Sequence, residues 1–188
     1  MMFGKNKESN QEYTDGKYSI VNLSGEKGTF KRITSADEGI CIVPFDTNPS
    51  GQVKNLYLCK YQDYLSNSNE RRCLTCTFDK NKFDSYYDAV LSCIKDELGI
   101  DSVPVNEIFY LGKIKHTHPF TKNYSCFAIN LTNYSDEIQG FSPNLSHDQL
   151  DKKPHTIEKV KFSRIVKGEI SDSLALACST LLLSYLQD

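Results

Sequence analysis

Hydrophobic and polar residues fall into a regular order from Lys17 onward. "KYSIVNL" and "GTFKRI" carry strand-like patterning on either side of the turn-rich "SGEKG", which predicts a β-hairpin. A second pair follows. "GICIVPF" is almost continuously apolar, as a strand buried on both faces would be, and "DTNPSGQ" joins it to "VKNLYLCKY". "RRCLTCTF" predicts one further short strand. "EIFYLGKI" and "YSCFAINL" predict two more, separated by "KHTHPFTKN", and a long polar stretch from about Thr132 to His155 leads to the strand "IEKVKFS".

Two segments change period from two to between three and four. In "FDSYYDAVLSCIKDELGID" (83–101) the residues Tyr87, Val90, Leu91, Ile94 and Leu98 recur at helical steps, with Ser85 placed to cap the start and Gly99 to end the helix. Asp88, Ser92, Lys95, Asp96 and Glu97 lie away from that stripe. The closing "GEISDSLALACSTLLLSYLQD" predicts a second helix, apolar over much of its surface and packed on the core. Strands gathered around two helices make the fold class α+β. Residues 1–16 are polar and without period, so they are expected to form an arm outside a single domain spanning 17–188.

Composition narrows the function classes. A chain of 188 residues suits one domain with a sizeable core. A net charge of -2 supplies no field to recruit nucleic acid or an anionic membrane. No apolar run approaches the roughly 18 residues a bilayer demands, and the polar start has no signal-like apolar core, so a cytoplasmic protein is expected. Seven cysteines, mostly scattered singly, do not have the spacing of a secreted disulfide framework and read as buried, reduced thiols. Cys73 and Cys76 have CxxC spacing without a second pair, and in a strand they would face opposite sides.

Candidate chemistry gathers on the first helix. Asp96 and Glu97 are adjacent at its C-terminal end, with Cys93 one turn before Glu97. Carboxylates there oppose the helix dipole at a cost of a few tenths to about 1 kcal/mol, which a solvated acidic face tolerates. The same oxygens also suit Mg²⁺, which takes a few protein carboxylates along with waters and phosphates. His116 and His118 share one side of an extended segment, a candidate transition-metal contact if a third ligand arrives from elsewhere and equally an ordinary polar loop. Tyrosines in "KYQDYLSN" and "SYYDAV" could stack on a base or simply pack.

The order of strands, the helix ending in "DELGI" and the closing "IEKVKFSRIVKGEISDSLALACSTLLL" resemble the Nudix hydrolases, in particular their ADP-ribose pyrophosphatase branch. The resemblance covers roughly 17–186 and implies a Nudix-like α/β/α sandwich with a mixed sheet, preceded by a small N-terminal hairpin. Laid on the family box, Asp84 takes the place of the isolated upstream Glu, Ile94 the hydrophobic position, and Asp96 and Glu97 the paired glutamates. Glu158 stands where the branch has a Glu before its late strand, and "GEISDS" where its last helix begins.

Other positions depart from the family. Phe78 replaces the box-opening Gly, Ser92 the Arg, and Cys93 the metal-binding Glu that follows it. A thiol prefers softer metals than Mg²⁺, and loss of an orienting partner alone weakens a site about 10–100-fold. The resemblance therefore implies a decayed metal site and a pseudoenzyme: a structural or binding module without a cofactor, held in an assembly by protein partners or self-association, such as a phage virion. Nucleotide is its candidate small ligand. Relatives often dimerise through N-terminal strands, which points to residues 17–34. The alternative is a divergent hydrolase of ADP-ribose-like nucleoside diphosphates using Mg²⁺ or Mn²⁺. There Asp84, Asp96 and Glu97 would hold the metal, Glu97 and Glu158 would serve catalysis, and His116 and His118 would bind substrate.

Overall fold

A computed structural model describes residues 9–14, 18–25, 28–35, 37–63, 68–116, 120–138, 156–170 and 172–187. The strand with the longest apolar run organises it. β4 (Glu38–Thr47) is buried from Gly39 to Asp46, as its near-absence of polar residues demands. It pairs in parallel with β9 (Phe120–Asn130) and antiparallel with β5 (Val53–Asp63) and β7 (Leu74–Phe78). β8 (Ile108–His116) lies antiparallel to β9, and β10 (Thr156–Lys161) antiparallel to β5. The result is a mixed sheet.

Side chains alternate across it, and each face has its own core. Ile40 and Ile42 of β4, with Tyr57 and Cys59 of β5, pack against α1 (Tyr86–Leu98). Cys41, Val43 and Phe45, with Leu56 and Leu58, pack against Ala175, Cys178 and Leu182 of α3 (Ser173–Tyr185) and Ile165 of the short α2 (Phe162–Val166). Period-two strands thus separate two apolar layers, giving the expected α/β/α sandwich.

The N-terminal hairpin forms as β2 (Tyr18–Gly25) and β3 (Gly28–Ser35), in register from Tyr18 opposite Ser35 to Gly25 opposite Gly28. Residues 9–14, read from the sequence as part of an arm, add β1 (Ser9–Thr14) to it. Polar side chains do not bar a strand, because the ladder is made by the backbone and β2 offers an edge. The hairpin meets the main sheet through two parallel pairs, Ile33 with Phe120 and Thr34 with Thr121.

"RRCLTCTF" is two strands. β6 (Ser68–Arg72) pairs with β5 and β7 with β4, so the chain changes neighbour at Cys73. The two long helices, α1 and α3, are capped from their own sequence. Ser85 Oγ accepts the Asp88 N–H at 3.2 Å, and Gly99, in the left-handed region at φ 74°, closes α1 with its N–H on Lys95 O at 3.0 Å. Asp172 accepts the Ala175 N–H at 2.8 Å to start α3.

Candidate functional site

The carboxylate-bearing helix presents a different face from the one its sequence suggests. The row facing the sheet is Ala89, Val90, Cys93, Ile94, Glu97 and Leu98, so Glu97 is only 7% exposed, whereas Tyr87 is exposed and Leu91 half-buried. The cause is β7. α1 crosses this strand, whose Cys76 makes a long contact of 3.9 Å with Ala89 O, and small Ala89 and Cys93 allow close approach. Asp84, before the helix, and Asp96, on it, are exposed. The adjacent Asp96 and Glu97 therefore diverge, one to solvent and one inward.

Cys93 sits within that inward row, 5% exposed. Its thiol is held well above the ordinary cysteine range by its hydrogen bond with Cys76, by burial, and by the charges of Cys76, Glu97 and Cys59. At this place on α1, one turn before Glu97, stands a neutral thiol with Cys76 and Cys59 as neighbours. A hard cation asks for charged oxygen there, so the residues present do not fit Mg²⁺.

Glu158 lies elsewhere. On β10 opposite Leu58, it accepts two bonds from the Arg71 guanidinium, from Nε at 2.9 Å and Nη2 at 3.1 Å. That fork is the first cause of its carboxyl lying below the ordinary value; burial opposes it. Among the described residues, Asp84, Asp96, Glu97 and Glu158 make no group of three ligating atoms within 4.8 Å of one another. His116 ends β8, paired through its backbone with Lys122, and His118 lies outside the described residues. Lys115 is exposed, and Lys113 reaches Glu38 at 2.9 Å.

Glu38 carries no local signal that would select it in advance. It begins β4, and Oε1 accepts Ser125 Oγ at 2.8 Å as well as Lys113, while Oε2 accepts the Tyr86 hydroxyl. Burial raises its carboxyl, but the bonds from Tyr86, Lys113 and Ser125 prevail and leave it below the ordinary value. Tyr86 is raised in turn, chiefly by that bond to Glu38.

Aromatic rings extend this cluster. Phe78 of β7 stacks on Tyr86 with centroids 4.1 Å apart. Phe127 is buried between the rings of Tyr87 and Tyr110, at 5.9 Å and 5.3 Å, and both tyrosines reach the surface. Gly39 is needed here, because a Cβ would stand 2.5 Å from the Tyr124 ring. The site is thus a stacked aromatic wall with a clamped carboxylate beside it.

No protein-family model matches the sequence, and no curated protein does. Solved structures do match in shape. An ADP compounds hydrolase is 13% identical with a TM-score of 0.61, over 98% of this chain and 97% of that one. A Nudix hydrolase from Listeria monocytogenes is 14% identical, TM-score 0.54, over 80% and 94%. The Nudix domain of Shewanella oneidensis NrtR, in complex with ADP ribose, is 9% identical, TM-score 0.53, over 87% and 94%. With helices on both faces of the mixed sheet and α1 leading out of β7, the chain has the Nudix fold.

Proposed function

We propose that this Nudix-fold chain is a pseudoenzyme, a binding or structural module whose site for hard divalent ions has decayed. The observation that carries the reading is Cys93, a buried thiol hydrogen-bonded to Cys76 at the helix position from which a metal carboxylate would have to act. Three further features support it. Phe78 fills the box-opening position with a stacked ring, Asp96 points to solvent away from Glu97, and Glu158 is engaged by Arg71.

Nucleotide is the ligand class this reading favours, since one structural neighbour was solved with ADP ribose and Tyr87 and Tyr110 offer exposed rings. Protein partners or a second copy would hold the module in an assembly, of which a phage virion is one kind. Residues 17–34, which include β2 and most of β3, are the surface for that contact.

The test is incubation of the full chain with ADP-ribose and a panel of dinucleotides in Mg²⁺ or Mn²⁺, beside a Glu97→Gln control. The expected result is no hydrolysis above the control, with nucleotide retained in a binding assay. Turnover that Glu97→Gln abolishes would overturn the proposal and establish a divergent metal-dependent hydrolase.

A further inference from the structure

On the other side of the sheet from Cys93, four cysteines meet. Cys41 of β4 and Cys126 of β9 are cross-strand partners, Cys73 lies at the junction of β6 and β7, and Cys178 is on α3 one turn after Ala175. All four are buried. The sulfurs of Cys41, Cys73 and Cys178 lie within 4.8 Å of one another, Cys41 and Cys178 at 3.4 Å, and Cys126 contacts both Cys41 and Cys178.

Hydrophobic packing alone does not ask for this arrangement. Val43, Ala128 and Leu58 fill neighbouring positions of the same layer with ordinary side chains. Nor are the sulfurs at bonding distance, since a disulfide needs about 2.05 Å. Around a single zinc ion, with Zn–S near 2.3 Å, thiolates stand about 3.8 Å apart, so the sulfurs of Cys41, Cys73 and Cys178 are grouped as three of its four ligands would be, and Cys126, in contact with Cys41 and Cys178, is the residue placed to supply the fourth. An iron–sulfur cube would force its cysteines further apart than a single ion does.

We infer that Cys41, Cys73, Cys126 and Cys178 form a closed four-thiolate site for one zinc ion, which ties β4, β9, the β6–β7 junction and α3 together. Binding is balanced by proton release: each thiol that ligates gives its proton to solvent, and no electron moves. All four positions are taken by protein and sealed from water, so the ion is structural and has no open site for a substrate.

The test needs the full chain, purified under reducing conditions without a polyhistidine tag. Elemental analysis after equilibration with ZnCl₂ and gel filtration is expected to give one zinc per chain. CoCl₂ in its place should give the thiolate-to-metal charge-transfer and intense visible bands of tetrahedral sulfur coordination. Chelator should lower the melting temperature, and added zinc should restore it. Cys178→Ser and Cys41→Ser should lose the metal, whereas Cys59→Ser, in the opposite core, should keep it. The cobalt spectrum of the unaltered chain stands even if a variant fails to fold. A folded chain that retains no zinc, gives no sulfur-to-cobalt band and melts identically with and without chelator would overturn the inference. These readouts do not involve hydrolysis, so they succeed or fail independently of the pseudoenzyme reading.

Discussion

Replacing Asp46 should cost this protein more than replacing any exposed charge. Near the end of β4 the register with β5 is irregular between Asp46 and Thr47, and the Asp46 side chain takes over part of the ladder. Oδ1 accepts the Asn55 backbone N–H at 3.0 Å and the Asn55 amide at 2.7 Å. Oδ2 accepts the Tyr57 hydroxyl at 2.9 Å and Lys159 Nζ from β10 at 2.8 Å. One buried carboxylate therefore joins the three strands that carry Cys41, Cys59 and Glu158.

In Asp46→Ala the Asn55 N–H, the Asn55 amide and the Tyr57 hydroxyl lose their acceptor, at about 1–3 kcal/mol for each group that stays buried. Exposed Lys159 recovers water, and some relaxation of Tyr57 is expected, so the net loss is roughly 3–5 kcal/mol. For a chain of this length that is roughly 6–20 °C in melting temperature. Burial raises the Asp46 carboxyl, but the bonds from Lys159, Asn55 and Tyr57 outweigh it and leave it below its ordinary 3.8. A lowered folded value means that the stabilisation is complete above 3.8 and disappears as pH falls through the folded value. Urea unfolding of the two proteins should show the full gap near neutral pH and a shrinking one in acid. A loss under about 1 kcal/mol near neutrality, or a gap indifferent to acid, would refute the reasoning.

Three other substitutions test neighbouring parts. Phe78→Ala should cost about 2 kcal/mol in urea unfolding, since a half-buried stacked ring is worth about half a fully buried one. Gly99→Ala places a Cβ in the left-handed region and should cost about 1–2 kcal/mol, read as a lower melting temperature without change in the helical signal. Arg71→Ala should return the Glu158 carboxyl toward its ordinary 4.5 in an NMR titration, with less than about 1 kcal/mol of stability lost because the pair is partly solvated.

Local signals in the sequence carried far into the fold, and long-range register carried the rest. The β2–β3 and β4–β5 hairpins, the Ser85 and Gly99 caps and the buried β4 followed from turn chemistry, capping and apolar runs. The split of "RRCLTCTF" did not, because no local feature marks Cys73 as the point where the chain leaves β5 for β4. The inward turn of Glu97 was hidden for a related reason. Apolar spacing placed Tyr87 and Leu91 in the buried stripe, but contact with β7 rotates the small Ala89 and Cys93 under the sheet. The four-cysteine group depends on the pairing of Cys41 with Cys126, residues 85 positions apart, which no periodicity encodes. Of the candidate site, Cys93 was legible as the thiol one turn before Glu97. Glu38 was not, since Tyr86, Lys113 and Ser125 reach it only through the sheet.

The most direct test of the central claim is a Mn²⁺ titration followed by electron paramagnetic resonance, with zinc supplied first so that any soft-metal site is filled. The unaltered chain should show no saturable Mn²⁺ binding under conditions that load a Ser92→Arg, Cys93→Glu double variant, because only the latter places a second inward carboxylate one turn from Glu97 and a guanidinium to orient it. Saturable Mn²⁺ binding by the unaltered chain, abolished by Glu97→Gln, would contradict the account.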